Sequence, residues 1–416
     1  MNKPELLIPA GSLEVLKTAV RFGADAVYIG GELFSLRAKA KNFTNEEIRE
    51  GIAFCHENGC KLYITANITA HNYHLDGIRQ YFRELKELKP DALIISDPGV
   101  FRLEREICPE IPVHISTQAN NVNIETFLFW YSLGVRRVVC GRELSMKEIA
   151  EIRAGIPADM EIETFVHGAM CISYSGRCLL SNYMTGRDAN LGACTHPCRW
   201  KYYLMEESRP GEYFPVEENE DGTYIFNSKD LCMIRYIPEL VSAGITSFKV
   251  EGRMKTALYV AVVASTYRKA IDDFCESPEL FRRNLPLYEA EISKCTYRNY
   301  TTGFFFGKPG SDAQVYDNNV YEKNYTYLGM VGKVNDDGTF TFEQRNKFCT
   351  GDEIEIMTPG FRRTVTTVTE MFDSDGNVIP SCPHPKQEIT LRTGTVPEPG
   401  DILCKKEEGE TCNEQK

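Results

Sequence analysis

The chain of 416 residues contains no apolar run approaching the ~18 to 20 residues a helix needs to span a bilayer. Its first residues, Met1–Pro9, are few and charged, with no long apolar stretch before a small-residue cleavage site, so no targeting signal is read there. The expectation is a cytoplasmic protein with no membrane partner. Positive charge is also short: 47 Lys and Arg stand against 59 Asp and Glu, a net charge of −12. Phosphate neutralisation draws on a Lys/Arg surplus, so indiscriminate nucleic-acid binding is disfavoured, while a local basic groove is not. Common hydrolase signatures are missing. No Gly-x-Ser-x-Gly elbow occurs. His56-Glu57 runs on into Asn58-Gly59-Cys60 where a zinc-peptidase helix would place its second histidine. Thr302-Gly-Phe-Phe-Phe-Gly-Lys-Pro309 falls short of a phosphate loop, because a proline stands where Ser or Thr would meet magnesium. We read it as a structural turn.

Cysteine, by contrast, is abundant, with 15 in the chain. In a reducing cytosol such a content favours metal binding or catalysis over disulfides. Cys55, Cys60, Cys108, Cys140, Cys275, Cys295, Cys349, Cys382 and Cys404 read as small buried hydrophobes, and Cys412, in a charged tail, as exposed. The remaining five, Cys171, Cys178, Cys194, Cys198 and Cys232, crowd into one loop-rich stretch. Soft thiolates without competing hard ligands suit zinc or an iron–sulfur cluster. Structural zinc usually brings close cysteine pairs. Only Cys194 and Cys198 are so spaced, and scattered single ligands suit a 4Fe–4S cluster better. Composition alone leaves both metals open.

Up to about residue 255 the sequence repeats a phrase in which a helix ends in Gly and a short apolar run follows. Phe22–Gly30, Pro90–Asp97, Leu133–Gly141 and Ala243–Glu251 carry it, and Glu5–Pro9, Lys61–Asn67, Val113–Gln118 and Glu161–Val166 add four further strand candidates. Short apolar runs alternating with helical patterns predict a parallel sheet covered by helices. Eight of them predict a TIM-like (β/α)8 barrel, with an open doubly wound sheet as the alternative and an unusually long segment before the eighth strand. From Tyr325 the pattern turns to alternation, with strands over Thr339–Glu343, Glu353–Met357, Thr364–Thr369 and Glu388–Leu391. The division is therefore residues 1–277 as the barrel, with the cysteine-rich segment at 163–232, and 278–324 as a connection. A small C-terminal all-β barrel over 325–404 and a disordered tail over 405–416 complete it.

On such a barrel the chemistry belongs at the C-terminal ends of the strands. The polar residues predicted there are Asn67, Asp97, Gln118, Arg142, His167, Lys249, Glu251 and Arg253, with Arg37 following the second strand. Cations converging on one mouth suit an anionic substrate such as a carboxylate or phosphate.

Glu163-Thr-Phe-Val-His-Gly-Ala-Met-Cys171 through Cys178-Leu-Leu-Ser181 resembles the signature of the collagenase-like peptidase family, of unknown catalytic type, U32. Glu5–Ser12 and Lys249-Val-Glu-Gly-Arg-Met254 match it too, and the similarity runs up to Arg268. The stretches Glu207–Tyr213 and Gly222–Asp230 resemble in particular the prephenate-dependent tRNA hydroxylases, which make 5-hydroxyuridine at the wobble position without molecular oxygen. Relatives hydroxylate an rRNA cytidine or a ubiquinone precursor. The resemblance implies a 4Fe–4S cluster on Cys171, Cys178 and Cys194, with Cys232 as fourth ligand and Cys198 as its alternative. It also implies prephenate as co-substrate and the tRNA anticodon stem-loop as partner.

On this reading Arg37, Arg142, Lys249 and Arg253 hold the carboxylates of prephenate, with Glu251, Asn67 and Gln118 beside them. His167, Tyr174 and Tyr183 contact a pyrimidine splayed into the mouth. Lys39, Lys41, Arg362 and Arg363 offer a basic patch for RNA. The alternatives are a sister hydroxylase acting on an rRNA cytidine or a small aromatic, and proteolysis, for which Cys171 and His167 are the nearest thiol–imidazole pair. A cysteine bound to iron cannot also be the nucleophile. The sequence does not set the number of subunits.

Overall fold

The computed structural model describes residues 3–31, 43–171, 178–187, 189, 194–199, 203–204, 214–215, 229–295, 297, 299–308, 324–384 and 386–407. Eight parallel strands close into a barrel. They are β1 (Glu5–Pro9), β2 (Ala26–Gly30), β3 (Lys61–Ala66), β4 (Ala92–Ile95), β5 (Val113–Ile115), β6 (Arg137–Val139), β7 (Glu161–Gly168) and, after an excursion, β11 (Ser247–Val250). Closure comes from β11 pairing with both β1 and β7. The excursion carries β8 (Tyr203–Leu204), β9 (Phe214–Pro215) and β10 (Asp230–Cys232). β10 folds back antiparallel on the end of β7, setting Cys232 opposite His167, and β12 (Tyr300–Thr301) pairs with β10. The end of the long segment before the eighth strand thus lies against the mouth through β10.

The alternation within each barrel strand separates two apolar layers, because successive side chains point to opposite faces. Leu6, Ile8, Val27, Ile29, Leu62, Ile64, Leu93 and Ile95 face outward into the large core beneath the helices. Leu7, Ala26, Tyr28, Tyr63, Ala92 and Ile94 form a separate cluster inside the barrel. Beside it the interior holds a network of ion pairs, where layers of branched aliphatics are the usual filling. The Lys249 ammonium lies 2.6 Å from Glu163, and Arg137 binds Glu161 at 2.7 Å. Arg137 also binds Glu5, which further accepts from Tyr63 at 2.8 Å and Ser247 at 3.0 Å. Burial, the largest single influence, would raise the Glu5 carboxyl; the Arg137 charge and hydrogen bonds from Arg137, Tyr63 and Ser247 together outweigh it and hold Glu5 below its ordinary range.

The helices are α1 (Leu13–Arg21), α2 (Asn45–Glu57), α3 (Leu75–Leu88), α4 (Pro98–Ile107), α5 (Ile124–Ser132), α6 (Met146–Gly155), α7 (Leu180–Thr185), α8 (Ile237–Ser242), α9 (Ala257–Glu276) and α10 (Pro278–Ile292). Many begin on a side-chain cap at the mouth. Asp97 accepts from Val100 N at 2.9 Å, and Ser145 with Glu148 forms a capping box, each cap worth about 1 kcal/mol. Asp97, predicted among the polar mouth residues, therefore has a helix-starting role. Among the described residues no helix is long and apolar enough to cross a membrane.

A second, closed antiparallel barrel follows, from β13 (Tyr325–Val334), β14 (Phe340–Glu343), β15 (Glu353–Thr358), β16 (Arg362–Phe372), β17 (Glu388–Thr393) and β18 (Ile402–Lys406). Its own core gathers Leu328, Phe340, Phe342, Ile354, Ile356, Val368, Met371 and Leu403. β13 and β18, which pair and close it, were not among the predicted strands, and β18 continues through Lys405 and Lys406. Arg363 does not face solvent as a basic patch would require. It reaches Glu291 at 2.6 Å and Ser265 at 3.0 Å, fastening the small barrel to α9 and α10. Arg362 lies 3.5 Å from Glu398. Lys39 and Lys41 lie outside the described residues.

Candidate functional site

Two close backbone approaches shape the mouth. A Cβ on Gly11 would lie 2.1 Å from the Arg253 carbonyl oxygen, so the first βα turn can rest there only as glycine. Gly168 has φ +108, and a Cβ on it would meet the Glu251 carbonyl at 2.5 Å. The ends of β7 and β11 are thereby pressed together, with Glu251 N donating to His167 O at 2.8 Å.

His167 is 2% exposed and sits among the rings of Tyr259, Tyr267 and Tyr300 at 5.5 to 6.0 Å between centroids. Burial, reinforced by Lys255, pushes its pKa down to about 3. It is a neutral imidazole at physiological pH, suited to hydrogen bonding and ill suited to storing a proton. Its Nδ1 lies 3.5 Å from the Tyr267 hydroxyl, which donates to Val166 O and accepts from Met233 N. These three tyrosines were not singled out beforehand as site residues. Tyr267 belongs to the amphipathic helix α9, where periodicity marks only a buried face.

The predicted cations separate into three groups. Arg37 lies outside the described residues, as does Tyr174. Lys249 is 4% exposed, paired with Glu163 and 4.6 Å from the centre of the Tyr28 ring. It belongs to the barrel's internal ion pairs, so its charge is already neutralised by a carboxylate below the mouth. Arg142 and Arg253 do reach the mouth. Arg253 is buried and donates to Thr65 Oγ1 at 3.0 Å. Arg142 donates to Ala169 O at 3.1 Å, and its guanidinium lies 5.4 Å from the Phe165 ring centre. Burial works against its charge, but Cys171, Glu251 and Glu143 more than compensate and strengthen it. Arg142 is therefore a cation held beside a candidate ligand thiol.

Glu251 is half-buried, held by the Tyr28 hydroxyl at 3.4 Å. Asn67 and Gln118 are half-buried and both meet Ser116: Asn67 Nδ2 donates to its hydroxyl at 3.3 Å, and Gln118 N does so at 3.4 Å. Asn67 Oδ1 is buried with no hydrogen-bond partner. In either amide orientation one polar atom of Asn67 lacks a partner, as expected where a ligand completes the bonding.

None of the candidate ligand cysteines is in a disulfide. Cys171 is exposed, and Cys178, Cys194, Cys198 and Cys232 are half-buried. Seven of the nine cysteines expected in the cores are indeed buried, but Cys275 is exposed and Cys349 half-buried, so those two expectations fail. Cys275 is in the last turn of α9, on its solvent side, and Cys349 precedes a turn. Cys412 lies outside the described residues. Among the described residues no three His, Cys, Asp or Glu side chains converge closely enough to hold one metal ion. The fit to a cluster therefore rests on donor chemistry and placement: thiols in no disulfide, exposed or half-buried, with Cys232 in register against His167.

Comparison with known proteins adds the following. A profile described as Peptidase family U32 matches residues 11–315, and one for the Peptidase family U32 C-terminal domain matches residues 323–403. The chain is 42% identical over 405 residues to "tRNA hydroxylation protein P1" of Bacillus subtilis, covering 97% of this chain and 95% of that one. It is 40% identical over 434 residues to "tRNA hydroxylation protein P" of Escherichia coli, covering 92% of each. A more distant relative is a 23S rRNA 5-hydroxycytidine synthase of Escherichia coli, 35% identical over 275 residues, covering 66% of this chain and 40% of that one.

Proposed function

The chain belongs to peptidase family U32, and from that premise we propose that it is a tRNA-hydroxylating enzyme that converts wobble uridine to 5-hydroxyuridine. The observation that carries the reading is end-to-end similarity to relatives named for tRNA hydroxylation, at 42% and 40% identity. In the finer reading prephenate is the co-substrate, molecular oxygen is not used, and the enzyme acts in the cytoplasm. Cys171, Cys178, Cys194 and Cys232 would hold a 4Fe–4S cluster, with Cys198 as the alternative fourth ligand. When bound, the cluster would supply a redox or Lewis-acid centre.

The chain's own residues have separable roles in this reading. Arg142 and Arg253 would bind prephenate carboxylates, because both cations reach the mouth and Lys249 is taken by Glu163. Asn67 would orient a substrate through the amide atom that has no protein partner. His167, neutral and enclosed by aromatic rings, would offer a hydrogen bond and exclude water around Cys232.

The same imidazole weighs against proteolysis. A thiol protease needs histidine to accept a proton from its cysteine, and an imidazole with a pKa of about 3 is a poor acceptor. Hydroxylation of an rRNA cytidine is the second reading, favoured by the likeness to the 23S rRNA enzyme.

The test has two arms. Anaerobically purified protein should contain about four irons and four sulfides per chain, and Cys178→Ser should lose them. Nucleosides from a strain lacking the gene should lack the 5-hydroxyuridine modifications of tRNA, and the intact gene should restore them. Loss of an rRNA hydroxycytidine instead would select the second reading. Stoichiometric zinc, or no metal after reconstitution, would overturn the cluster.

A further inference from the structure

An RNA enzyme with a net charge of −12 gains from a source of affinity beside phosphate neutralisation. Arg363 is committed to Glu291 and Ser265, and Arg362 lies beside Glu398. Among the described residues the segments around the mouth also expose apolar and aromatic side chains. Tyr73 lies in the loop after β3, Leu179, Tyr183 and Met184 follow β7, and Met254 follows β11. All five are exposed and lie in the segments that follow the C-terminal ends of barrel strands, Tyr183 and Met184 on α7.

Tyr73 is the best framed of them. It is 73% exposed, yet its ring is ordered against two histidines. It stacks on His71 with an interplanar angle of 11° at 5.4 Å, and its centroid is 4.1 Å from that of His74. His71 N donates to His74 Nδ1 at 3.0 Å, which closes the turn Asn72–His74 that carries the tyrosine. The same short loop begins at Asn67, whose buried amide lacks one partner at the mouth. One connection therefore runs from the inside of the site to a pre-positioned ring on its rim.

We propose that Tyr73, supported by His71 and His74, is a stacking platform for an unpaired nucleobase adjacent to the one that enters the mouth. The partner is single-stranded RNA in a loop, and the inference rests on the RNA-substrate reading above. Stacking tolerates any base, since each has a π face. It also lets an acidic protein grip RNA with a shallow dependence on salt, because few counterions are released.

The experiment measures binding of an anticodon stem-loop RNA to the full-length holoprotein by fluorescence anisotropy. Tyr73→Ala should weaken binding about tenfold, with iron content and thermal midpoint unchanged, and Tyr73→Trp should bind at least as tightly as the parent. An RNA lacking the base next to the modified uridine should bind the parent about tenfold more weakly. That RNA should show no further loss with Tyr73→Ala, because one contact cannot be lost twice. Parent-like binding by Tyr73→Ala, a Trp variant as weak as Ala, or additive losses would each overturn the platform. Failure of the parent protein to bind RNA at all would overturn the RNA-substrate reading itself. Should Tyr73→Ala misfold, the Trp variant and the abasic RNA decide the question without it.

Discussion

The two ends of the large barrel are built from similar residues and differ in whether those residues are satisfied. Towards the N-terminal end and the middle, Glu5, Arg137, Glu161, Glu163 and Lys249 are charged, mostly buried, and close their charges on one another. At the mouth, Asn67 keeps a buried amide oxygen without a partner, and Tyr73 lies open to water. Charge alone does not mark a site. Paired charge holds a fold together, and unfinished bonding is where a ligand belongs.

The sharpest way to break that contrast is to unpair the closed end. Arg137→Ala would leave Glu5 mostly buried without its cation, Glu163 keeping Lys249, and breaking such a pair costs about 3–5 kcal/mol. Urea denaturation should show the loss, and protein that still folds should bind prephenate normally. A variant as stable as the parent would mean that the ion pairs contribute nothing to the fold.

His114 offers a second test at the same end. It is buried against the edge of Tyr63, and burial, then Arg137 and Lys249, hold its pKa well below the ordinary value. A histidine kept neutral in the fold takes up a proton only on unfolding, so stability present above about pH 6.5 falls as the pH drops. His167, with a pKa of about 3, acts in the same direction. His167 should remove roughly 2 kcal/mol between about pH 6.5 and 5, and His114 should add a loss of the same sign. Urea denaturation of the apoprotein at pH 7 and pH 5 should therefore show a smaller acid loss in His114→Gln than in the parent. Equal losses would mean that His114 is protonated in the fold.

These two ends also show what could be read from sequence and what could not. The eight strands were legible because each is a short apolar run following a glycine-ended helix, and the barrel order then put Asn67, Gln118, Arg142, His167, Glu251 and Arg253 at strand ends. The fate of Lys249 was not legible. Its partner Glu163 lies on β7, and only the register of Phe165 opposite Lys249 brings the two side chains together. Arg363 misled for the same reason, since Glu291 and Ser265 reach it from helices of the other barrel. Residue type and spacing identify candidates for a site; pairing across distant segments decides which are already spoken for.

At the mouth, Arg142 tests the opposite side of the comparison. Arg142→Ala should raise the prephenate concentration needed for half-maximal hydroxylation by about tenfold, as expected for a lost charge-assisted hydrogen bond. Iron content should stay at the parental level. An unchanged prephenate requirement would remove Arg142 from the substrate site. Lost iron would instead assign it to support of Cys171, beside which it lies.

The smallest effect is expected at Arg362, and it is informative for that reason. Its side chain is 62% exposed, its carboxylate partner Glu398 is 61% exposed, and the two are 3.5 Å apart. Exposed pairs of this kind contribute about 0–1 kcal/mol. Arg362→Gln should shift stability by less than about 0.5 kcal/mol. RNA affinity should change by less than about twofold if binding depends on stacking at the mouth and not on cations of the small barrel. A large loss of affinity with a reduced salt slope would restore that barrel as an RNA surface, and the mouth would then carry the chemistry without carrying the grip.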